Sequence, residues 1–225
     1  MGEKVSIIIV HHNEPRHLNL LAQSIKLCSE INDYETIMVD DYSQDDARKS
    51  FLEIVEKMGN VKAVRNEKRK GFAASLITGI DLVDGDSDYL IFTHSDNVVL
   101  SKRWIDFMIE NEISNAKFGA LCVGPLTQFT GPGGKMLEGP NYNFLFTKKS
   151  IFDNVGKFDP YSKCDNVGLF FGYQHKLQEI GKDLIMASPL GLLHHYGSGK
   201  ISQQEKIDDV ARFNELFVNR VNKYR

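Results

Sequence analysis

The chain has 225 residues, of which 42% are hydrophobic and 25% charged. That balance supports one domain around a sizeable core, with room for a small appendage, and excludes a chain too polar to fold. The formal net charge of -3 lacks the basic excess usual in nucleic-acid binders, although a local basic patch is compatible with it.

Residues 5–10, VSIIIV, are a dense β-branched run and predict a strand buried on both faces. Apolar spacing at Leu18, Leu21, Ile25 and Cys28 predicts an amphipathic helix over 15–30, with Pro15 near its start. ETIMVD (35–40) predicts a second buried strand, and Asp45 and Asp46 start a helix running to about Met58. VKAVR (61–65) predicts a third strand, Gly71 opens a helix through Leu82, DYLIFT (88–93) a fourth strand, and 102–111 a further helix. Four strand–helix alternations imply a parallel sheet covered by helices.

The rhythm changes near residue 119. The Gly- and Pro-rich stretch 124–140 reads as a long structureless loop, of the kind that serves as a lid. NFLFTK (143–148) and DLIMAS (183–188) predict strands on either side of a helix over 166–180, and HHYGSGK (194–200) predicts a turn. Residues 202–223 predict a polar final helix with Val210, Phe213, Phe217 and Val221 on one face.

Cys28, Cys122 and Cys164 lie far apart without a CxxC spacing. That argues against a thiolate zinc site and for a reducing compartment. The first apolar run is too short for a secretory leader, and every run is too short to cross a bilayer. The expectation is a cytoplasmic protein, with peripheral membrane contact left open.

Open parallel sheets bind ligands beyond the carboxyl ends of their strands. Four clusters fall at such places or in a late turn. Asp40 and Asp41, with Ser43, can accept hydrogen bonds from a nucleobase imide and ribose hydroxyls; the alternative is a solvated turn that caps a helix. In His94-Ser95-Asp96-Asn97 a carboxylate beside oxygen ligands suits Mg²⁺ or Mn²⁺ against a diphosphate; the alternative is a turn aspartate. Lys68, Arg69 and Lys70 precede Gly71 and a small-residue helix start, where cations and a helix N-terminus both favour phosphate; the alternative is a solvated charge run. His194 and His195 stand in a glycine-rich turn that can meet a metal or phosphate; a structural role is the alternative.

Taken in order, these segments resemble glycosyltransferase family 2. The resemblance runs through VSIIIVHHNEP, ETIMVDDYSQD with its Asp-Asp-x-Ser signature, and NEKRKGFAASLITGI. It continues through DYLIFTHSDNVVLSKRWID, NFLFTKKSIFDNVGKFDP and LLHHYGSGK, and covers roughly residues 4–200. It implies an α/β fold of the GT-A type: a single nucleotide-binding domain over 1–225 with a mostly parallel central sheet flanked by helices. Residues 1–118 would form the nucleotide-sugar half, 119–200 the acceptor half and 201–225 a C-terminal helix.

The resemblance also implies roles. His12, Asn13, Glu14, Asp40, Asp41, Lys70, Gly71, Ser95 and Asp96 would bind a nucleotide-diphospho-sugar. Among them Asn13, Glu14 and Asp40 or Asp41 would hold the nucleoside, and Lys70 would sit near the diphosphate. Asp96 would bind Mn²⁺ or Mg²⁺, with His195 as second ligand or phosphate contact. The ion would act as a Lewis acid on the departing diphosphate. Transfer to an acceptor hydroxyl would invert the anomeric centre.

The chain departs from the pattern in three places. The family's Asp-x-Asp is His94-Ser95-Asp96, as in some members similar to rhamnosyltransferases. Ile77 stands where the family usually has Asn. The acceptor helix carries Leu169 and Phe170 where an acidic pair is common, so Asp165, about one turn earlier, becomes the candidate general base.

The expected acceptor is a glycan, a lipid-linked sugar, a protein or a modified nucleic acid. The basic stretch 212–225 offers a contact for an anionic acceptor, for a second subunit of a homo-oligomer, or simply a solvated helix face. Three rivals stand beside this reading. A binding or scaffolding protein of the same fold is suggested by the missing carboxylates. HHNEP after the first strand argues against a nucleotidyltransferase, which carries a glycine-rich basic loop there. The absence of GxGxxG argues against a dinucleotide-dependent dehydrogenase.

Overall fold

The computed structural model describes residues 3–29, 33–124, 126–130, 136–140, 144–158, 167–187 and 193–195. In chain order the elements are β1 (Lys4–His11), α1 (Pro15–Cys28), β2 (Asp33–Asp40), α2 (Asp45–Met58), β3 (Val61–Arg65) and α3 (Phe72–Ile80). Then follow β4 (Tyr89–His94), β5 (Asn97–Val99), α4 (Trp104–Ile113), β6 (Phe118–Val123), β7 (Leu126–Thr130) and β8 (Met136–Pro140). The last are β9 (Phe144–Lys148), α5 (Lys149–Val155), α6 (Val167–Glu179), β10 (Asp183–Ala187) and β11 (Leu193–His195).

Seven strands form one sheet in the order β10-β6-β9-β4-β1-β2-β3. β3, β2, β1 and β4 run parallel. β9 is antiparallel to both β4 and β6, and β10 returns parallel to β6. The sheet is therefore mostly parallel, as the strand–helix alternation predicts. β1 is the switch point: the chain grows outward from it to β2 and β3 on one side and to β4 on the other.

The apolar runs are dense because both faces of each central strand are covered. Ile7 and Ile9 of β1 join Met38, Ile91, Leu121 and Phe146 in one core, closed by Leu18, Leu21 and Ile25 of α1, Phe51 of α2 and Trp104 and Met108 of α4. Ile8 and Val10 face the other way, into a core with Ile37, Val39, Leu90 and Phe92, closed by Phe72 and Leu76 of α3, Phe152 of α5 and Tyr173 and Leu177 of α6. Alternate side chains of one strand thus feed two cores. At about 25 cal/mol per Å² of apolar surface, these two cores supply most of the folding drive.

The stretch 124–140 departs from expectation. It is not a structureless loop: β7 and β8 pair antiparallel, Leu126 opposite Pro140 and Thr130 opposite Met136. LTQFT carries β-branched and aromatic residues; half of the Gly and Pro signal falls in the five residues between the strands and the rest at the outer ends, Gly124-Pro125 before β7 and Gly139-Pro140 closing β8. His194 and His195 lie on β11, antiparallel to β5, where a turn was expected from residue 194. β6 and α5, which the sequence reading passed over, also belong to the fold. FGALCV lacks the β-branched density of the other strands, and α5 is a helix of only 7 residues. The predicted helix over 202–223 lies outside the described residues. No helix among the described residues is long and apolar enough to cross a membrane.

Candidate active site

Beyond the carboxyl ends of β1 to β4 the chain continues the sheet's hydrogen bonding into the loops. Asp41 N–H donates to the His11 carbonyl at 2.8 Å, Asn66 N–H to that of Asp40 at 2.9 Å, and Ser95 N–H to that of Val10 at 3.1 Å. Four strand ends are thereby tied into one platform.

The β1 and β2 loops are stitched together through Asn13 and Ser43. Asn13 N–H donates to Ser43 Oγ at 2.9 Å, and Gln44 N–H donates to Asn13 Oδ1 at 2.8 Å. His12 Nδ1 lies 2.8 Å from the Asp41 carbonyl. A carbonyl only accepts, so Nδ1 carries the proton and Nε2 accepts from Asn13 Nδ2 at 3.1 Å. Glu14 lies at the start of α1 beside His17, with Oε2 3.3 Å from its Nδ1.

Asp40 and Asp41 reach the strand end, but their oxygens are turned to the chain itself. Asp40 is fully buried: Oδ1 accepts from Ser43 N–H at 2.9 Å and Oδ2 faces Arg65 Nη1 at 3.4 Å. Asp41 Oδ1 accepts from the Lys70 N–H at 2.8 Å and from Asn66 Nδ2 at 2.9 Å, and Oδ2 from the Gly71 N–H at 2.9 Å. A carboxylate therefore already sits at the start of α3, where a phosphate was expected to use the helix terminus. Gly71 takes φ +86°, a backbone open to glycine and strained for any side chain. The side chains of Lys68, Arg69 and Lys70 project into solvent from this loop.

At the end of β4, His94 stacks on Phe72 with ring centroids 3.6 Å apart. Ser95 and Asp96 are buried, at 5% and 8% exposure. Asn97 Nδ2 donates to Thr93 Oγ1 at 3.0 Å and to the His94 carbonyl, closing the turn around Asp96. β11 then sets His195 in register with Asn97, one residue from Asp96. The chain thus brings together two positions 99 residues apart. Among the described residues no three His, Cys, Asp or Glu side chains cluster as a metal cage. A lone carboxylate of this kind fits an ion that arrives with its phosphate ligands, since magnesium usually takes only one or two carboxylates from protein. Asp165 lies outside the described residues, and of His195 only the backbone is described.

His11 is buried behind this platform, its ring parallel to that of Phe51 with centroids 5.9 Å apart. Burial lowers its pKa to about 4, against the opposing pull of Asp40 and with a small push from His12. The sequence assigns no role to Tyr42, Arg65 or Asn66, although Tyr42 and Asn66 fall in segments that directly follow a strand. Their signal was position: each sits at the carboxyl end of a strand, where Tyr42 follows the aspartate pair and Arg65 closes β3. Two clefts of about 410 and 140 Å³, lined by Glu3, Asp88 and Lys148 and by Lys4, Glu35 and Lys62, open at the opposite, amino-terminal ends of the strands.

An open sheet that reverses its order at β1, with amide, acidic and cationic groups beyond the carboxyl ends, is the frame of a nucleotide-binding α/β protein. The backbone carries the GT-A form of it, as comparison with solved structures shows. A mannosyltransferase, PcManGT from Pyrobaculum calidifontis, solved with GDP-Man and Mn²⁺, superposes with a TM-score of 0.64 at 14% identity, over 84% of this chain and 55% of that one. GalNAc-T7 with UDP, GalNAc and Mn²⁺ gives 0.69 at 16% identity, over 94% and 48%. A 4-diphosphocytidyl-2C-methyl-D-erythritol synthase from Anaerococcus prevotii DSM 20548 gives 0.57 at 15%, over 94% and 99%. The chain spans about half the length of the first two. The likeness to a synthase means that fold alone does not choose the reaction. Sequence does choose the family: the chain belongs to glycosyl transferase family 2, whose profile matches residues 6–178.

Proposed function

We propose that the chain transfers a sugar from a nucleotide-diphospho-sugar to an acceptor hydroxyl, with a divalent cation at Asp96 and inversion at the anomeric carbon. The observation that carries this reading is the meeting of Asp96 with the His195 register position at the carboxyl end of β4, beside the β1 switch point. The family match supports it, as do the nucleotides and Mn²⁺ with which the mannosyltransferase and GalNAc-T7 were solved.

The nucleoside lies against the ends of β1 and β2, near His12, Asn13 and Glu14. Asp40 and Asp41 contribute by holding that loop and the start of α3, since their oxygens are already engaged. Lys70, Gly71 and Ser95 lie along the diphosphate, and Lys70 supplies positive charge. Asp96, with His195 as the second candidate, holds the Mn²⁺ or Mg²⁺. Bound there, the ion supplies charge neutralisation for the departing nucleoside diphosphate. The acceptor hydroxyl attacks the anomeric carbon opposite the diphosphate, and Asp165 takes its proton. The β7–β8 hairpin, rather than a loose loop, is the candidate cover that excludes water. The reaction is placed in the cytoplasm, where the thiols of Cys28 and Cys122 stay reduced.

A panel of UDP, GDP, ADP, CDP and dTDP, each with and without Mn²⁺, tests the reading by thermal shift. One nucleotide should raise the melting temperature only with the ion, and Asp96→Ala should abolish the rise. Absence of any shift across the panel would count against a donor site. The second reading is a binding protein without transfer activity, favoured by His94, which replaces a carboxylate and is stacked on Phe72. It predicts the same thermal shift but no release of nucleoside diphosphate from any sugar nucleotide.

A further inference from the structure

Tyr42 is the one bulky side chain among the described residues held at positive φ, at +61°. An L side chain adopts that backbone only when its surroundings impose it. The surroundings here are on view. Asp41 before it is fixed by three hydrogen bonds, two from the Lys70 and Gly71 N–H groups at the start of α3 and one from Asn66 Nδ2 after β3. Ser43 after it donates its N–H to Asp40 and accepts at Oγ from Asn13. Asn13, itself at φ +56°, clasps the loop from the β1 side.

The ring that results is neither packed in the core nor left loose. Tyr42 is 49% exposed, and the Arg65 guanidinium lies over its ring, 5.1 Å from the centroid. Arg65 is itself tethered: Nη2 donates to the Ser43 carbonyl at 3.0 Å, and Nη1 faces buried Asp40 at 3.4 Å. A fixed cation over an aromatic ring holds the ring's plane. About half of the residue remains open to solvent at the carboxyl end of β2, beside the β1 switch point.

No packing role requires an aromatic at this position, and glycine would relieve the backbone. We infer that Tyr42 is a preorganised stacking platform for the base of the bound nucleotide, with Arg65 as the residue that positions it. An exposed aromatic face of fixed orientation recognises a planar heteroaromatic by offset stacking at little ordering cost. The assignment rests on the donor-site reading above and adds to it the residue that grips the base.

The test uses the full chain and the same five nucleoside diphosphates with Mn²⁺, measured by calorimetry for wild type, Tyr42→Phe, Tyr42→Leu and Tyr42→Gly. Tyr42→Phe should keep the dissociation constant of the bound nucleotide within about threefold, because the π face remains. Tyr42→Gly and Tyr42→Leu should each raise it about tenfold or more, the usual scale for loss of one base–aromatic stack. Tyr42→Gly should also melt no lower than wild type, since glycine suits positive φ. A lower affinity at undiminished stability separates recognition from folding. If wild type binds a nucleotide and Tyr42→Leu binds it within about twofold, the platform is wrong while the donor site stands. If wild type binds none of the five, both readings fall together.

Discussion

His11 and Asp41 show what a single polar residue does once it is inside the fold. Neither ring nitrogen of His11 has a hydrogen-bonding partner among the described residues, and Asp40 and His12 are the titratable groups that face it. Its folded pKa, about 4, lies below the ordinary 6.5. Between those values the unfolded chain holds a proton that the folded chain refuses, so stability falls as pH is lowered through that window. The loss is about 3 kcal/mol if the shift is fully expressed. Urea midpoints at pH 7 and pH 5 should differ clearly for wild type and much less for His11→Phe, which keeps the ring beside Phe51. Asp41 carries a different lesson. The aspartate pair is legible in the sequence as a strand-end signature, but not the direction of its oxygens. That direction depends on Lys70, Gly71 and Asn66, which lie 25 to 30 residues away.

Elements were legible where one local pattern dominated. β1, β2, β3 and β4 and the helices between them fall within a few residues of their predicted spans, because each central strand is apolar on both faces and each helix carries a single apolar stripe. The β7–β8 hairpin was not, because glycine and proline at its centre and at its outer ends masked two short strands. β5 and β11 were also illegible: each has 3 residues, and each exists only as the other's partner. Helix α3 lies close on the sheet through Gly79. A Cβ there would stand 2.5 Å from Ile8 Cγ2 and 3.1 Å from Val39 Cγ2. Gly79→Ala should therefore destabilise the protein by about 1–3 kcal/mol, the cost of overpacking, despite alanine's better helix propensity. Chemical denaturation checks the sign: a gain in stability would mean that α3 can lift from the sheet without cost.

At the scale of the molecule the two ends of the sheet do different work. The amino-terminal end is braced by charge. Glu35 Oε1 accepts from Ser6 Oγ and from Asp84 N–H, Glu35 Oε2 lies 2.7 Å from Lys62 Nζ, and Lys62 and Lys4 hold the Asp84 carboxyl down to about 2. Glu35→Ala should cost about 1–2 kcal/mol, since it leaves the Asp84 N–H unpaired and Ser6 with Ser87 Oγ, 2.6 Å away, in place of two partners, yet leave nucleotide affinity unchanged. Calorimetry at a temperature where the variant is folded checks the second half, and a weakened affinity would mean that the two ends are coupled. Sequence by itself determined the layered α/β architecture, the family and the strand-end positions worth inspecting, because apolar periodicity and short motifs are local properties of the chain. Only the tertiary structure decided which of those residues meet. Asp96 and the His195 position become neighbours through β5 and β11, Asp41 turns inward to α3, and Tyr42 is left facing solvent under Arg65. Each outcome depends on partners far along the chain, and long-range proximity is created by folding rather than written in any one segment.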